Sequence, residues 1–208
     1  MNRGQVHVIA GCMFAGKTTR LIELMGQEAD AYVAFKPVLD DRYSRSRIVS
    51  HDGTSMDCEP SRDSKDVLIK SRAAGRQAIA IDEAQFFDAD LPETVRQLRD
   101  AGHRIYVAGL DMDAFGKPFG PMPDLIALAD VFEGLTAICA TCGDDARMSF
   151  RRQLDRTGQI VVGGADVYEP RCETCWSPPG GRADLPTVPG NTKCPDGMNS
   201  APPEDPGS

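Results

Sequence analysis

Val6-His7-Val8-Ile9-Ala10 is a short, apolar, β-branched run that predicts a strand, and Thr19-Arg20-Leu21-Ile22-Glu23-Leu24-Met25 repeats its apolar positions at helical spacing. Ala31-Tyr32-Val33-Ala34-Phe35 reads as a second strand, closed by Lys36-Pro37. Strand, helix, strand opens a parallel α/β sheet. From 38 to 64 polar residues take over, and only Ile48-Val49 has strand character, so this stretch is either a mobile loop or a weak hairpin. A short helix begins at Val67-Leu68-Ile69 and stops near Gly75, and Gln77-Ala78-Ile79-Ala80-Ile81 follows as a buried strand. Asp88 is read as the cap of a helix over 91–98. Arg104-Ile105-Tyr106-Val107-Ala108-Gly109-Leu110 is a further buried strand, followed by a loop over 111–120 rich in glycine, proline and aromatic residues. A helix over 124–130 and a strand over 131–138 lead into Cys139. Segments 149–154 and 159–171 predict a small β module with a long loop, and 177–208, full of Pro, Gly, Asp and Ser without an apolar period, predicts a disordered tail. The expected division is a main domain over 1–138, a small module over 139–176 and the tail over 177–208.

Composition narrows the class. The chain has 208 residues, 41% of them hydrophobic, enough for one good core and a small satellite. No apolar run reaches the ~20 residues of a membrane span and no secretory h-region precedes the first strand, which implies a soluble, cytoplasmic protein without a membrane partner. A formal net charge of −8 opposes a nucleic-acid backbone as partner, while a small anion needs only a local site.

Three patterns carry chemistry. Gly11-Cys12-Met13-Phe14-Ala15-Gly16-Lys17-Thr18 matches the phosphate-loop pattern G-x-x-x-x-G-K-[ST] in full, between a predicted strand and a predicted helix. Two glycines let the backbone turn its N–H groups toward an anion, the helix start adds positive potential, Lys17 would reach the β/γ phosphates, and the Thr18 hydroxyl would ligate Mg²⁺. A glycine turn that happens to carry Lys-Thr is the bland alternative. The strand ending in Asp82-Glu83-Ala84-Gln85 delivers the carboxylate that such a loop requires beside its metal; an ordinary helix cap is the competing reading. Of seven cysteines, four are paired as Cys139-x-x-Cys142 and Cys172-x-x-Cys175, which points to a closed structural Zn²⁺ site. Redox chemistry competes for a lone C-x-x-C, but two copies at strand ends favour zinc. The 29 residues between the knuckles exceed ribbon spacing, as an inserted functional loop would explain. Cys12, Cys58 and Cys194 are left as ordinary thiols.

These stretches, together with Lys36-Pro37 followed by Asp40 and Arg42-Tyr43, Ser50-His51-Asp52, Lys117-Pro118-Phe119-Gly120 and Gly163-Gly164-Ala165-Asp166 before Tyr168-Glu169-Pro170-Arg171-Cys172, resemble type II thymidine kinases, the zinc-containing cytosolic class. The likeness runs over roughly residues 5 to 176. It implies a RecA-like P-loop fold, ATP with Mg²⁺ and structural Zn²⁺ as cofactors, and phosphorylation of the thymidine 5′-hydroxyl. Glu83 matches the family's catalytic base and Asp82 its carboxylate near Mg²⁺. ATP falls on residues 11–18 and on Asp82, Glu83, Ala84 and Gln85, with Lys17 and Arg42 stabilising the phosphoryl oxygens. Met13, Phe86, Leu110, Phe119, Ser149 and Tyr168 match positions that enclose the nucleoside, and Val161 and Gly163 fall on a lasso loop whose backbone reads the thymine edge. Homotetramers and inhibition by dTTP are implied by analogy.

Ala15 and Ser149 are mild departures from the family's usual serine and threonine. Ala114-Phe115 replaces an aromatic residue followed by a basic one, which leaves that loop open between a tetramer contact and a nucleotide contact. Because Asp-Glu-Ala-Gln also resembles a helicase strand end, a DNA-stimulated motor is a rival reading, although the chain has no room for a second such domain. A zinc-ribbon interaction module with a degenerate nucleotide site is a third, opposed by the intact Lys17, Thr18, Asp82 and Glu83. The zinc ion is expected to clamp the segment holding Val161, Gly163 and Tyr168, so that its loss harms nucleoside binding more than ATP binding.

Overall fold

The structure, a computed structural model, describes residues 3–28, 31–39, 46–50, 52–152 and 166–179. Apolar alternation along β1 (Gln5–Gly11) sends Val6, Val8 and Ala10 to one face of the sheet and Ile9 to the other. α1 (Lys17–Gly26) buries Leu21, Leu24 and Met25 against the Ile9 face. Next come β2 (Tyr32–Pro37), the antiparallel hairpin β3 (Arg47–Val49) with β4 (Ser55–Asp57), and β5 (Glu59–Ser61). The polar stretch is thus a hairpin, and Ile48 and Met56 bring it onto the α1 side of the core.

On the opposite face lie α2 (Ser64–Ala74), α3 (Leu91–Asp100) and α4 (Met122–Leu128). Val67, Leu91, Val95, Leu98 and Met122 from these helices share a core with β6 (Ala78–Ile81) and β7 (Arg104–Gly109). Strand order in the six-stranded sheet is β5-β2-β6-β7-β1-β8, with β8 at Val131–Leu135, and every pairing is parallel. The sheet therefore delivers the ends of β1, β6 and β7 to one rim. Among the described residues no helix is long and apolar enough to cross a membrane.

The strand expected over 131–138 breaks after Leu135. Its second part, β9 (Ala137–Ile138), pairs antiparallel with β10 (Asp145–Ala146). β11 (Met148–Arg151) pairs with β12 (Tyr168–Arg171), and Arg152 N–H donates to the Val167 carbonyl at 2.8 Å, so both ends of segment 153–165 stand side by side. Val161, Gly163, Arg42, His51, Cys194 and the tail from residue 180 lie outside the described residues.

The N-cap of α3 is Asp90, without a side-chain cap bond, and not the expected Asp88, which stands two residues earlier and acts between helices. The Asp88 carboxylate accepts the Ser64 N–H at 2.7 Å and hydroxyl at 2.6 Å as well as the Asp90 N–H at 3.0 Å, which ties the starts of two helices together.

Candidate active site

β1 runs straight into the glycine-rich loop. Gly11 has φ 149°, and a Cβ there would sit 2.2 Å from the Leu135 carbonyl oxygen, so only glycine lets the loop lie against β8. Phe14 adopts φ 66°, a left-handed conformation that a non-glycine residue keeps only when its surroundings enforce it. α1 begins beyond Gly16 with no side-chain cap and no acidic residue in its first turn. The other three helices carry Asp66, Glu93 and Asp124 there. The first turn of α1 is therefore left to an anion. Lys17 Nζ donates to the Cys12 carbonyl at 2.7 Å, closing the loop on itself. Burial of its ammonium lowers the Lys17 pKa, while Glu83, Cys12, Asp82 and Asp111 pull it back up.

The carboxylates come from the end of β6. Asp82 is buried, its N–H donates to the Phe35 carbonyl at 2.9 Å, and the Thr18 hydroxyl lies 3.3 Å and 3.5 Å from its two oxygens. A hydroxyl and a carboxylate brought together from loop and strand fit a hard cation with oxygen preference. Glu83 takes φ 51°, a left-handed conformation at the start of a short 3-10 turn over Ala84–Phe86. Gln85 Nε2 donates to the Glu83 carboxylate at 2.5 Å, and Gln85 Oε1 accepts the Leu110 N–H at 2.9 Å. The side chains of Ala84 and Gln85, both assigned from sequence to the cofactor, point into the protein: Ala84 packs in the core and Gln85 is 2% exposed. Gly120, at φ 52°, lies so close to Gln85 that a Cβ would meet its carbonyl oxygen at 2.2 Å.

The nucleoside residues form two groups. Met13 and Tyr168 pack with Ala114 and Val167, and Leu110 and Phe14 lie against them. Phe86 and Phe119 meet edge to face with ring centres 5.6 Å apart. Ser149 turns its hydroxyl to the phosphate loop, accepting the Met13 N–H at 3.1 Å.

The loop over 111–120 is held by residues that sequence reasoning passed over. Asp113 accepts the N–H groups of Phe115 and Lys117 at 2.8 and 2.9 Å, an Asx turn that the polar residue before Ala-Phe-Gly-Lys could have signalled. Arg151, 2% exposed, sets its guanidinium 5.1 Å from the Phe115 ring centre, and the Trp176 ring packs on Gly116. No local pattern marks Arg151. Within the chain, then, Phe115 meets Arg151 and Ala114 joins the Met13 group.

The sulfur atoms of Cys139, Cys142, Cys172 and Cys175 all lie within 4.8 Å of one another, with Cys142 and Cys172 at 3.6 Å. Zn–S bonds of about 2.3 Å in a tetrahedron place sulfurs roughly 3.8 Å apart, so the set fits that ion and is too open for a disulfide. Burial pushes the Cys139 thiol up, but the N–H groups of Cys172, Cys142 and Thr141 outweigh it and hold the thiol down at about 6, as a thiolate ligand requires. Cys12 of the phosphate loop packs against Ala137, Cys139, Ala146 and Cys172 and points its thiol at the Ala146 carbonyl, 3.3 Å away. Burial raises its pKa, with the Lys17 charge opposing. The cysteine module thus touches the phosphate loop directly.

Residues 4–176 match the family model described as thymidine kinase. The thymidine kinases of Rhodothermus sp. (strain ITI 518) and Bacteroides thetaiotaomicron are 42% and 43% identical over 85% and 84% of this chain, covering 83% and 87% of theirs. That of Porphyromonas gingivalis is 41% identical over 86% of this chain and 90% of its own. The Legionella pneumophila ATPase DotB overlays on 62% of this chain and 35% of that one at a TM-score of 0.38 and 13% identity, too distant to speak for fold or function. With a family match that spans the phosphate loop, the paired carboxylates and all four cysteines, the chain belongs to the thymidine kinase family of enzymes.

Proposed function

We propose that the protein transfers the γ-phosphoryl group of ATP to the 5′-hydroxyl of thymidine, giving dTMP. The observation that carries this reading is the pair of neighbouring carboxylates at the end of β6: Asp82 lies against the Thr18 hydroxyl, while Glu83 acts on the Lys17 ammonium and is held by Gln85, whose Oε1 accepts the Leu110 N–H. Residues 11–18 would cradle the phosphates, with Lys17 near the β/γ oxygens. Thr18 and Asp82 would hold Mg²⁺, directly or through water; when bound it neutralises phosphate charge. Glu83 would accept the proton of the 5′-hydroxyl, and the loose transition state of phosphoryl transfer asks the remaining residues chiefly for positioning. Phe86, Leu110, Phe119 and Tyr168 would wall off water.

The four cysteines would hold a structural Zn²⁺, whose binding energy adds to the folding of a module too small to sustain itself. On this reading residues 139–176 form a distinct module on the domain over 1–138, and Val161 and Gly163 present backbone groups to the thymine edge. Feedback inhibition by dTTP, a homotetramer and a cytoplasmic location follow from the family by analogy.

The test is transfer of labelled phosphate from ATP to a panel of nucleosides. Thymidine and deoxyuridine should be turned over and deoxycytidine poorly, because fixed backbone donors and acceptors mismatch the cytosine edge. Equal rates on deoxycytidine would overturn the assignment of the acceptor.

A further inference from the structure

We propose that Ser149 is a positioning residue for the phosphate loop, holding the Met13 amide so that the loop keeps its phosphate-binding shape; this rests on the reading that residues 11–18 bind ATP.

Met13 belongs to both halves of the site. Its amide lies in the phosphate loop, and its side chain packs with Ala114, Val167 and Tyr168 on the nucleoside side. The next residue, Phe14, stands at φ 66°, and such a conformation relaxes unless its neighbours fix it. Three consecutive loop residues are fixed by one stretch of chain. Gly11 lies against the Leu135 carbonyl, Cys12 directs its thiol to the Ala146 carbonyl, and the Met13 N–H donates to Ser149 Oγ at 3.1 Å. Of the three, the last is the tie whose removal leaves a buried amide without an acceptor.

Ser149 is well placed to hold a fixed position. It is 5% exposed and sits in β11 opposite Pro170, which has no N–H to offer. Its carbonyl instead accepts the Trp176 indole N–H at 3.3 Å. Side chain and main chain are thus both engaged, and the hydroxyl reaches the loop from the β11–β12 hairpin, which leads directly into Cys172. The cysteine module thereby contributes a group to ATP binding as well as to the nucleoside side.

Ser149→Ala and Ser149→Thr separate this role from a nucleoside contact. A buried amide stripped of its acceptor costs on the order of tenfold in an equilibrium constant. ADP affinity, read by calorimetry on zinc-loaded protein, should fall about tenfold in the alanine variant, the KM for ATP should rise in step, and thymidine KM should move less. Threonine keeps the hydroxyl and should restore ADP binding to within about twofold. Unchanged ADP affinity in Ser149→Ala, a loss confined to thymidine, or failure of the threonine to rescue would each overturn the proposal. Wild-type protein that binds no ADP would instead sink the ATP reading, and this proposal with it. If Ser149→Ala does not fold, hydrogen exchange at the Met13 amide of the wild type decides: slow exchange supports the tie, and exchange at the rate of an open amide overturns it.

Discussion

The phosphate loop is eight consecutive residues set between a strand paired on both sides and a helix, whereas the cysteine cluster draws four sulfurs from knuckles 29 residues apart, each following a strand of two or four residues. The first has a core beneath it in Ile9, Leu21 and Ala108; the second has little apolar material beyond the cysteines, Ala137 and Ala146. A local motif on a buried sheet can shape itself, while a module this thin has four cysteines placed where they could hold a metal. The two nevertheless share a boundary. Cys12 and Met13 lean on the module through Ala146 and Ser149, while Gly11 lies against β8 and residues 16–18 lean on α1 and Asp82. The phosphate site is therefore half local and half borrowed.

Glu83→Gln offers the widest separation of chemistry from binding. It keeps the shape of the side chain and removes the base, so turnover should fall by about 10²-fold or more while ADP affinity holds; near-normal turnover would refute the role of Glu83. Next in size is Gln85→Ala, which takes the donor from Glu83 and the acceptor from the Leu110 N–H in one step. Leaving a buried amide unpaired costs about 1–3 kcal/mol, so melting temperature and turnover should both drop; a variant as stable and active as the parent would show that the clamp is idle.

Those two effects concern residues on the sheet side, and most of that side was legible in the sequence. β1, α1, β6 and β7 announce themselves as contiguous apolar runs or helical stripes, and the loop between the first two carries its own pattern. β5 did not, because Glu59-Pro60-Ser61 is polar and holds a proline; it succeeds only as an edge strand, paired on one side with β2. The ties across the boundary were equally silent. Met13 and Ser149 are 136 residues apart, and neither a serine in a short strand nor the buried Arg151 signals a distant partner.

Phe115→Ala tests the module side alone. Losing the contact with Arg151 should cost about 0.5–2 kcal/mol, raise the thymidine KM through the loop that carries Phe119, and leave ADP binding as it was. An equal loss for ADP would mean that this loop also shapes the donor side. The smallest effect is expected from truncation after residue 179, since a segment of that composition has no apolar period with which to pack; activity should stay within a few-fold, and a collapse in rate and solubility would contradict this.

Whether the donor site truly borrows half its shape is decided by metal removal. Zinc is stripped with a chelator, far-ultraviolet circular dichroism confirms that the sheet remains, and ADP and thymidine affinities are measured on that same preparation and again after zinc is restored. Both affinities should fall, thymidine more steeply and ADP by several-fold, and both should return with the ion. ADP affinity that stays at its zinc-loaded value while thymidine binding is lost would show that the phosphate loop stands alone and that the contacts at Cys12 and Met13 carry no energy.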